Sequence, residues 1–200
     1  SITMIPNVCE SYTVNANVTE FVWNLREGHK WSDGTELTSE NAVWWYKNIY
    51  LNEELAPGRL YDNVRQQKDL ASIEAKGKYS FVCKYNKPNG TLPLGVVRGE
   101  AWGVIGGLNF MVPSHYLAKF HKAFADPKFL DDTVARLKLQ SWKQLFIGGP
   151  IDMFALNPDL PIVGPWVTKV PASSTTMVQE RNPYYFQVDR ALYLPTTAVA

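Results

Sequence analysis

Apolar and polar residues alternate near the start of the chain, where Phe21, Trp23 and Leu25 take every second position. Successive side chains of an extended strand point to opposite faces, so this pattern predicts a strand with one buried face. Turn-forming residues at 15–17 precede it. Residues 10–26 are therefore predicted to form a β-hairpin.

The same alternation returns in residues 71–85. Tyr79, Phe81 and Cys83 share one face of the second half, and Gly77 provides the turn between the halves. This is the clearest hairpin pattern in the chain.

Between these hairpins the spacing of apolar residues changes to that of a helix, from Ala42 to Tyr50. Thr38 is a plausible N-cap, because its side chain can accept from an unpaired amide of the first turn. Further helices are predicted at 113–120, 131–140 and 141–146, followed by strands at 163–170 and 175–181. Hairpins interleaved with helices favour an α+β, or mixed α/β, fold over a wound parallel sheet.

Composition narrows the classes of function. Hydrophobic residues make up 46% of the 200 residues and charged residues 20%, with a formal net charge of +1. These values are ordinary for a globular protein. A net charge this small gives no strong electrostatic attraction for the phosphates of a nucleic acid, so nucleic-acid binding is disfavoured. No apolar run reaches the length of a membrane span. Two cysteines, Cys9 and Cys83, fit either two buried thiols or one disulfide.

No constellation of catalytic residues stands out. His115 and His121 are six positions apart and would not share a helix face, so a metal site built on them is disfavoured. Nothing marks an activating base for either cysteine. The carboxylates at 33, 36 and 40 fit turn and helix-start chemistry. We expect no enzyme activity, no metal and no cofactor.

The many aromatic residues divide into two groups. Most sit at positions whose periodicity predicts a core: Trp23, Tyr46, Tyr79 and Phe81, together with the aliphatic Ile49. Periodicity does not explain Trp31, Trp45 and Trp102. Trp102 lies in the glycine-rich segment 92–112, where Asn109 and Phe110 follow. These three residues are the predicted ligand contacts, and the alternative is a loop that packs on its own domain.

The stretch FVWNLREGHKWSDGTELTSENAV resembles the signature of the family 5 extracellular solute-binding proteins of ABC importers, which bind oligopeptides, dipeptides or nickel. The matching positions are Leu25, Arg26, Gly28, Trp31, Asp33, Gly34, Leu37, Thr38 and Val43.

Three further segments agree with the family in order along the chain. Residues 6–11 are similar to a P-x-L-A-E-S segment, although Val8 and Cys9 replace the usual Leu-Ala, and residues 79–88 are similar to a strand ending in L-x-x-P. The third agreement is a G-P-[YW] strand followed by E-R-N-P-x-Y, which here supplies Gly164, Pro165, Asn182, Pro183 and Tyr185.

The resemblance implies a fragment of the first lobe of a type II periplasmic binding protein. Residues 1–160 would be the accessory subdomain, and 161–200 strands returning to the main subdomain. In the family the signature is scaffold, and the ligand lies in a cleft between two lobes. We expect a truncated domain with little binding of its own, because most residues that hold the cargo would be missing.

The resemblance also implies partners and a location. The full-length protein would carry a peptide or another small solute to ABC permease subunits, as a monomer in the bacterial envelope, either periplasmic or membrane-anchored and extracellular. An extracellular carbohydrate-binding module, or an oligosaccharide-specific binding protein, is the alternative. The predicted helices argue against the module, which would be nearly all strand.

Overall fold

The computed structural model describes residues 8–56, 65–66, 69–90, 92, 111–146, 149–151, 155–172, 175–189 and 194–195. The chain divides into two compact units, each built from two separate stretches of sequence. Unit 1 comprises Ser1–Glu27 and Thr38–Ser114, and unit 2 comprises Gly28–Leu37 and His115–Ala200. The subdomain boundary predicted at residue 160 stays a prediction, since it refers to the organisation of a longer protein.

The elements up to residue 84 are mostly strands. They are β1 (Cys9–Val14), β2 (Glu20–Leu25), α1 (Ser39–Trp45) with a π-helical continuation (Tyr46–Tyr50), β3 (Arg65–Gln66), β4 (Asp69–Leu70), β5 (Ser72–Gly77) and β6 (Ser80–Lys84).

Helices come first in the remainder. The elements are α2 (Ser114–Leu117) with a 3₁₀ continuation (Ala118–Phe120), α3 (Pro127–Arg136), α4 (Lys143–Phe146), β7 (Trp166–Val170), β8 (Val178–Arg181), β9 (Val188–Asp189) and β10 (Leu194–Pro195). The mixed helix and sheet content agrees with the predicted fold class.

Unit 1 is centred on an antiparallel sheet with the strand order β1-β2-β6-β5. Both predicted hairpins, β1–β2 and β5–β6, are confirmed. Phe21, Trp23 and Leu25 are all buried, as the alternation predicts. Trp23 stacks on Tyr12 of β1 at 5.1 Å and on Phe81 of β6 at 6.5 Å between ring centroids. Aromatic pairs across three strands thus stabilise the face of the sheet.

Helix α1 packs on β5 and β6 and begins where Thr38 was predicted to cap it. The Thr38 N–H donates to Asn41 Oδ1 at 3.0 Å. The prediction that Tyr46 and Tyr79 are core residues is wrong, because both are only half-buried. Tyr46 starts the π-helical turn, whose wider winding changes which residues face the core.

Unit 2 contains the remaining helices and the β7–β8 hairpin. Helix α3 begins four residues before the predicted position, because Asp126 caps it and Pro127 occupies its first turn. The Asp126 carboxylate accepts the Phe129 N–H at 2.8 Å. Strands β7 and β8 pair as an antiparallel hairpin, each three residues shorter at its start than predicted. Among the described residues, no helix is long and apolar enough to cross a membrane.

Candidate functional site

The signature loop Gly28–Leu37 folds back on itself within unit 2. The Leu37 N–H donates to the His29 carbonyl at 2.8 Å, and the Trp31 N–H donates to the Thr35 carbonyl at 2.8 Å. Gly34, at the tip, has a φ of +88°, a conformation that favours glycine. The loop buries Trp31, which is only 2% exposed, although periodicity did not explain that residue.

Asp33 anchors the tip of this loop to the start of the helical segment. Its Oδ1 accepts the Thr35 N–H at 3.0 Å, and its Oδ2 lies 2.7 Å from His115 Nε2. Burial raises the pKa of the Asp33 carboxyl, but the hydrogen bonds from Thr35 and His115 outweigh it and leave that pKa below its usual value. The ring of Trp31 lies 6.3 Å from that of His115. The carboxylate is therefore held charged as part of the loop's framework.

Asn182 joins two further signature segments of unit 2. Its side chain is fully buried, its Nδ2 donates to the Gly164 carbonyl at 2.9 Å, and its Oδ1 accepts the Tyr184 N–H at 2.9 Å. Its own N–H donates to the Pro165 carbonyl at 2.7 Å. The polar groups of Asn182 are thus hydrogen-bonded to backbone groups of the protein. This residue is therefore suited to stabilising the fold rather than to binding a ligand.

The signature loop also contacts both of these segments. The Ser32 N–H donates to the Ile162 carbonyl at 2.9 Å. In return, the Ile162 N–H donates to Ser32 Oγ at 3.1 Å. The hydroxyl of Tyr184 would lie 3.1 Å from a Cβ added at Gly34. The left-handed backbone is thus the main reason for glycine at position 34, and the Tyr184 hydroxyl adds a close but adjustable contact.

The structure places most of the signature residues in unit 2. Leu25, Arg26 and Thr38 belong to unit 1, whereas unit 2 holds Gly28, Trp31, Asp33, Gly34, Gly164, Pro165, Asn182, Pro183 and Tyr185. The predicted ligand contacts Trp102, Asn109 and Phe110 lie outside the described residues. Their role stays a prediction.

Reactive chemistry finds little support in the described part of the chain. Cys9 and Cys83 are free thiols. Burial raises the pKa of Cys9 to about 11, against the opposing charge of Arg26, and that of Cys83 to about 12. Both remain protonated near neutral pH and are poor nucleophiles. Among the described residues, no group of three or more His, Cys, Asp or Glu is placed to hold a metal ion.

Two participants in this site were missed by sequence reasoning. His115 was considered only as a metal ligand, and no long-range contact was predicted for Ser32, yet each contacts a segment more than 80 positions away. No local periodicity marks contacts of that range. The Pro-Ser-His sequence at a helix start could have been paired with Asp33 only through knowledge of the fold.

Comparison with known proteins places these features in a family. The family described as "Bacterial extracellular solute-binding proteins, family 5 Middle" matches residues 3–195. Among solved structures, an oligopeptide-binding protein OppA is 27% identical, with a TM-score of 0.76 over 94% of this chain and 27% of its own.

Two sugar-binding proteins are also similar. The periplasmic alpha-galactoside-binding protein of Rhizobium meliloti is 24% identical over 94% of this chain and 23% of its own length. The periplasmic binding protein MelB of Agrobacterium fabrum, solved with stachyose, is 19% identical with a TM-score of 0.63, over 94% of this chain and 24% of its own. This last likeness concerns the fold alone. The chain spans about a quarter of the length of these relatives.

Proposed function

The chain belongs to the bacterial extracellular solute-binding proteins of family 5, and from this we propose that it forms part of the solute-capture component of an ABC importer, with oligopeptides as cargo. The observation that carries the proposal is the family match over residues 3–195, joined to the likeness to the oligopeptide-binding protein OppA. The buried signature residues support a scaffold role for this part of the protein.

The partners and the location follow from this role. The full-length protein would deliver a small solute to ABC permease subunits of the bacterial envelope. It would do so as a monomer that is periplasmic or membrane-anchored at the cell exterior. The family's name and that of the Rhizobium relative agree with a place outside the cytoplasm.

An oligosaccharide is the second candidate cargo, and the alpha-galactoside-binding relative favours it. Peptides and sugars differ in what they need from a site. A peptide carries charged ends and backbone hydrogen-bonding groups, whereas a sugar ring stacks on an exposed aromatic face. Trp102 suits either role.

Calorimetric titration of the full-length protein decides between the two cargoes. We expect micromolar or tighter binding from a pool of short peptides and none from stachyose. Binding of stachyose with no heat from the peptides would replace the first candidate with the second. Binding of neither would count against both.

Trp102, with Asn109 and Phe110, is proposed to contact that cargo. In the full-length protein, Trp102→Ala should weaken binding by about tenfold or more, since a buried stacking contact contributes about 1–3 kcal/mol. Trp166→Ala, a half-buried tryptophan on β7, is the matched control. Equal affinities for Trp102→Ala and the unaltered protein would leave the loop as a part that packs only on its own domain.

A further inference from the structure

The sequence contains a single Asn-Gly pair, Asn89–Gly90, in the segment that follows β6. Asparagine is among the residues that degrade chemically with time and heat, because the backbone nitrogen of the next residue can attack its side-chain amide carbon. Glycine hinders that attack least, since it has no Cβ and the widest choice of backbone angles. Asn89 is therefore the asparagine whose sequence most favours spontaneous deamidation.

The two residues of this pair differ in their surroundings. Gly90 is exposed, and a Cβ added there would meet nothing within 4 Å. Asn89 is buried, with 7% of its surface exposed. Solvent therefore reaches the residue that supplies the attacking nitrogen, whereas the amide that it would attack is held inside the fold.

Backbone hydrogen bonds fix Asn89 against the turn between β1 and β2. The Asn89 N–H donates to the Val18 carbonyl at 2.8 Å. The Tyr85 N–H donates to the neighbouring Thr19 carbonyl, also at 2.8 Å. The segment 85–89 is thus tied to that turn at both of its ends, within unit 1.

The side chain of Asn89 is hydrogen-bonded to that of Tyr85. Burial raises the pKa of the Tyr85 hydroxyl, and the hydrogen bond from Asn89 opposes that rise. Tyr85 is itself buried, and its ring packs edge-on against that of Phe21 on β2, with 6.1 Å between centroids. The Asn89 amide is therefore bound to a fixed partner and is not free to turn toward the Gly90 nitrogen.

We propose that Asn89 is a deamidation site that its hydrogen bond with Tyr85 keeps unreactive, so that the reaction proceeds when the 85–90 segment opens. In the open segment, the Gly90 nitrogen loses its proton to hydroxide and forms a bond to Cγ of Asn89. The bond from Cγ to the amide nitrogen breaks, and that nitrogen takes a proton from water and leaves as ammonia. Water then opens the cyclic imide and leaves aspartate or isoaspartate. Water is the co-reactant, and nothing is oxidised or reduced.

The product fits the closed segment less well than asparagine does. Aspartate and isoaspartate both carry a negative charge at a position that is buried in the unaltered chain. Burying a carboxylate costs free energy, and isoaspartate also lengthens the backbone beside the hydrogen bond to Val18. Deamidation therefore turns a transient opening of this segment into a lasting one. The inference concerns unit 1 alone and is independent of the cargo.

Peptide mass spectrometry of the 200-residue chain, incubated at about pH 8, measures the gain of about 1 Da at Asn89 over time. The rate should be at least about tenfold lower in the folded chain than in urea, because the closed segment must first open. Tyr85→Phe should raise the folded rate by about threefold to tenfold, the ratio that one hydrogen bond supplies. Tyr12→Phe, on β1, is the matched control and should keep the unaltered rate. Gly90→Ala should slow the reaction in the folded chain and in urea alike, since its Cβ meets nothing within 4 Å and leaves the fold intact.

Equal rates in the folded chain and in urea would overturn the inference, as would equal rates in Tyr85→Phe and the unaltered chain, or no gain of mass at Asn89 in urea. If Tyr85→Phe does not fold, the unaltered chain decides at urea concentrations below its unfolding transition. There the deamidation rate should rise in step with the loss of hydrogen-exchange protection at the Asn89 amide, which donates to Val18. A constant deamidation rate while that protection falls would contradict the proposal.

Discussion

At the scale of single residues, the glycines of the signature loop separate two costs of adding a side chain. Gly28 and Gly34 both have a positive φ, at +73° and +88°. A Cβ at Gly28 would meet nothing within 4 Å, whereas one at Gly34 would lie 3.1 Å from the Tyr184 hydroxyl. The first position carries only the backbone cost, and the second adds a steric one.

Gly28→Ala should therefore lower the free energy of unfolding by about 1–2 kcal/mol. Gly34→Ala should lower it slightly more, since the Tyr184 hydroxyl, at the far end of a flexible side chain, must shift by a few tenths of an ångström. Urea denaturation measures both values. The additional loss of stability in Gly34→Ala, relative to Gly28→Ala, should become smaller when Gly34→Ala is combined with Tyr184→Phe, which removes the contacting hydroxyl. An excess of the same size in the double variant would show that the contact is unimportant.

Lys138 is a second residue whose backbone favours glycine. It follows α3 with a φ of +56°. Its N–H donates to the Ala135 carbonyl, and the Leu139 N–H donates to that of Val134, the pattern of a Schellman C-cap. Lys138→Gly should raise the free energy of unfolding by about 1 kcal/mol, whereas Arg136→Gly, inside the helix, should lower it by a similar amount. Thermal denaturation measures the unfolding midpoint of each variant. A shift of both midpoints in the same direction would contradict this prediction.

Asp33 should make the chain sensitive to acid at low pH. Its folded pKa lies below its usual value, so its contribution to stability is present above the reference pKa of about 3.9 and is lost as the pH falls through the folded pKa. Asp33→Asn should therefore lose less stability than the unaltered chain between pH 5 and 2, as tryptophan fluorescence during acid unfolding would measure. Identical acid transitions in the two proteins would show that the carboxylate contributes nothing.

At the scale of elements, the start of α1 depends on one buried amide. Asn41 is 5% exposed, accepts the Thr38 N–H at its Oδ1 and donates from Nδ2 to Ser114 Oγ at 2.9 Å. Asn41→Ala should lower the free energy of unfolding by about 1–3 kcal/mol, because it removes a cap and leaves a buried donor unpaired. Glu40→Ala, at the exposed neighbouring position, is the control for helix propensity. Equal losses of unfolding free energy in Asn41→Ala and Glu40→Ala would show that the Asn41 amide does not stabilise the start of α1.

The sequence predicted the type and the buried face of an element well where the spacing of apolar residues alone determines them. Phe21, Trp23 and Leu25 are buried because alternation in a half-buried strand leaves them no other face. The start of α3 was misplaced, although Asp126 and Pro127 carry the N-cap and first-turn signals. Tyr46 was misjudged because the sequence does not show that α1 continues as a π-helical turn.

At the scale of the whole molecule, the family could be recognised from the signature, but the contacts that hold the signature together could not. Ser32 with Ile162 and Asp33 with His115 join segments distant in sequence, and such pairs are set by the tertiary fold. The same holds for Asn182, whose type fitted the family pattern while its contacts with Gly164 and Pro165 became visible only in the structure.

The most direct measurement compares calorimetric binding of one peptide pool by the full-length protein and by the 200-residue chain. If this chain supplies mainly the scaffold of a solute-capture protein, the full-length protein should bind at micromolar concentration or better. The chain alone should bind at least about 100-fold more weakly, a difference of about 2.7 kcal/mol. Equal affinity for the two would show that the chain holds the cargo by itself and would contradict the assignment of its signature residues to support.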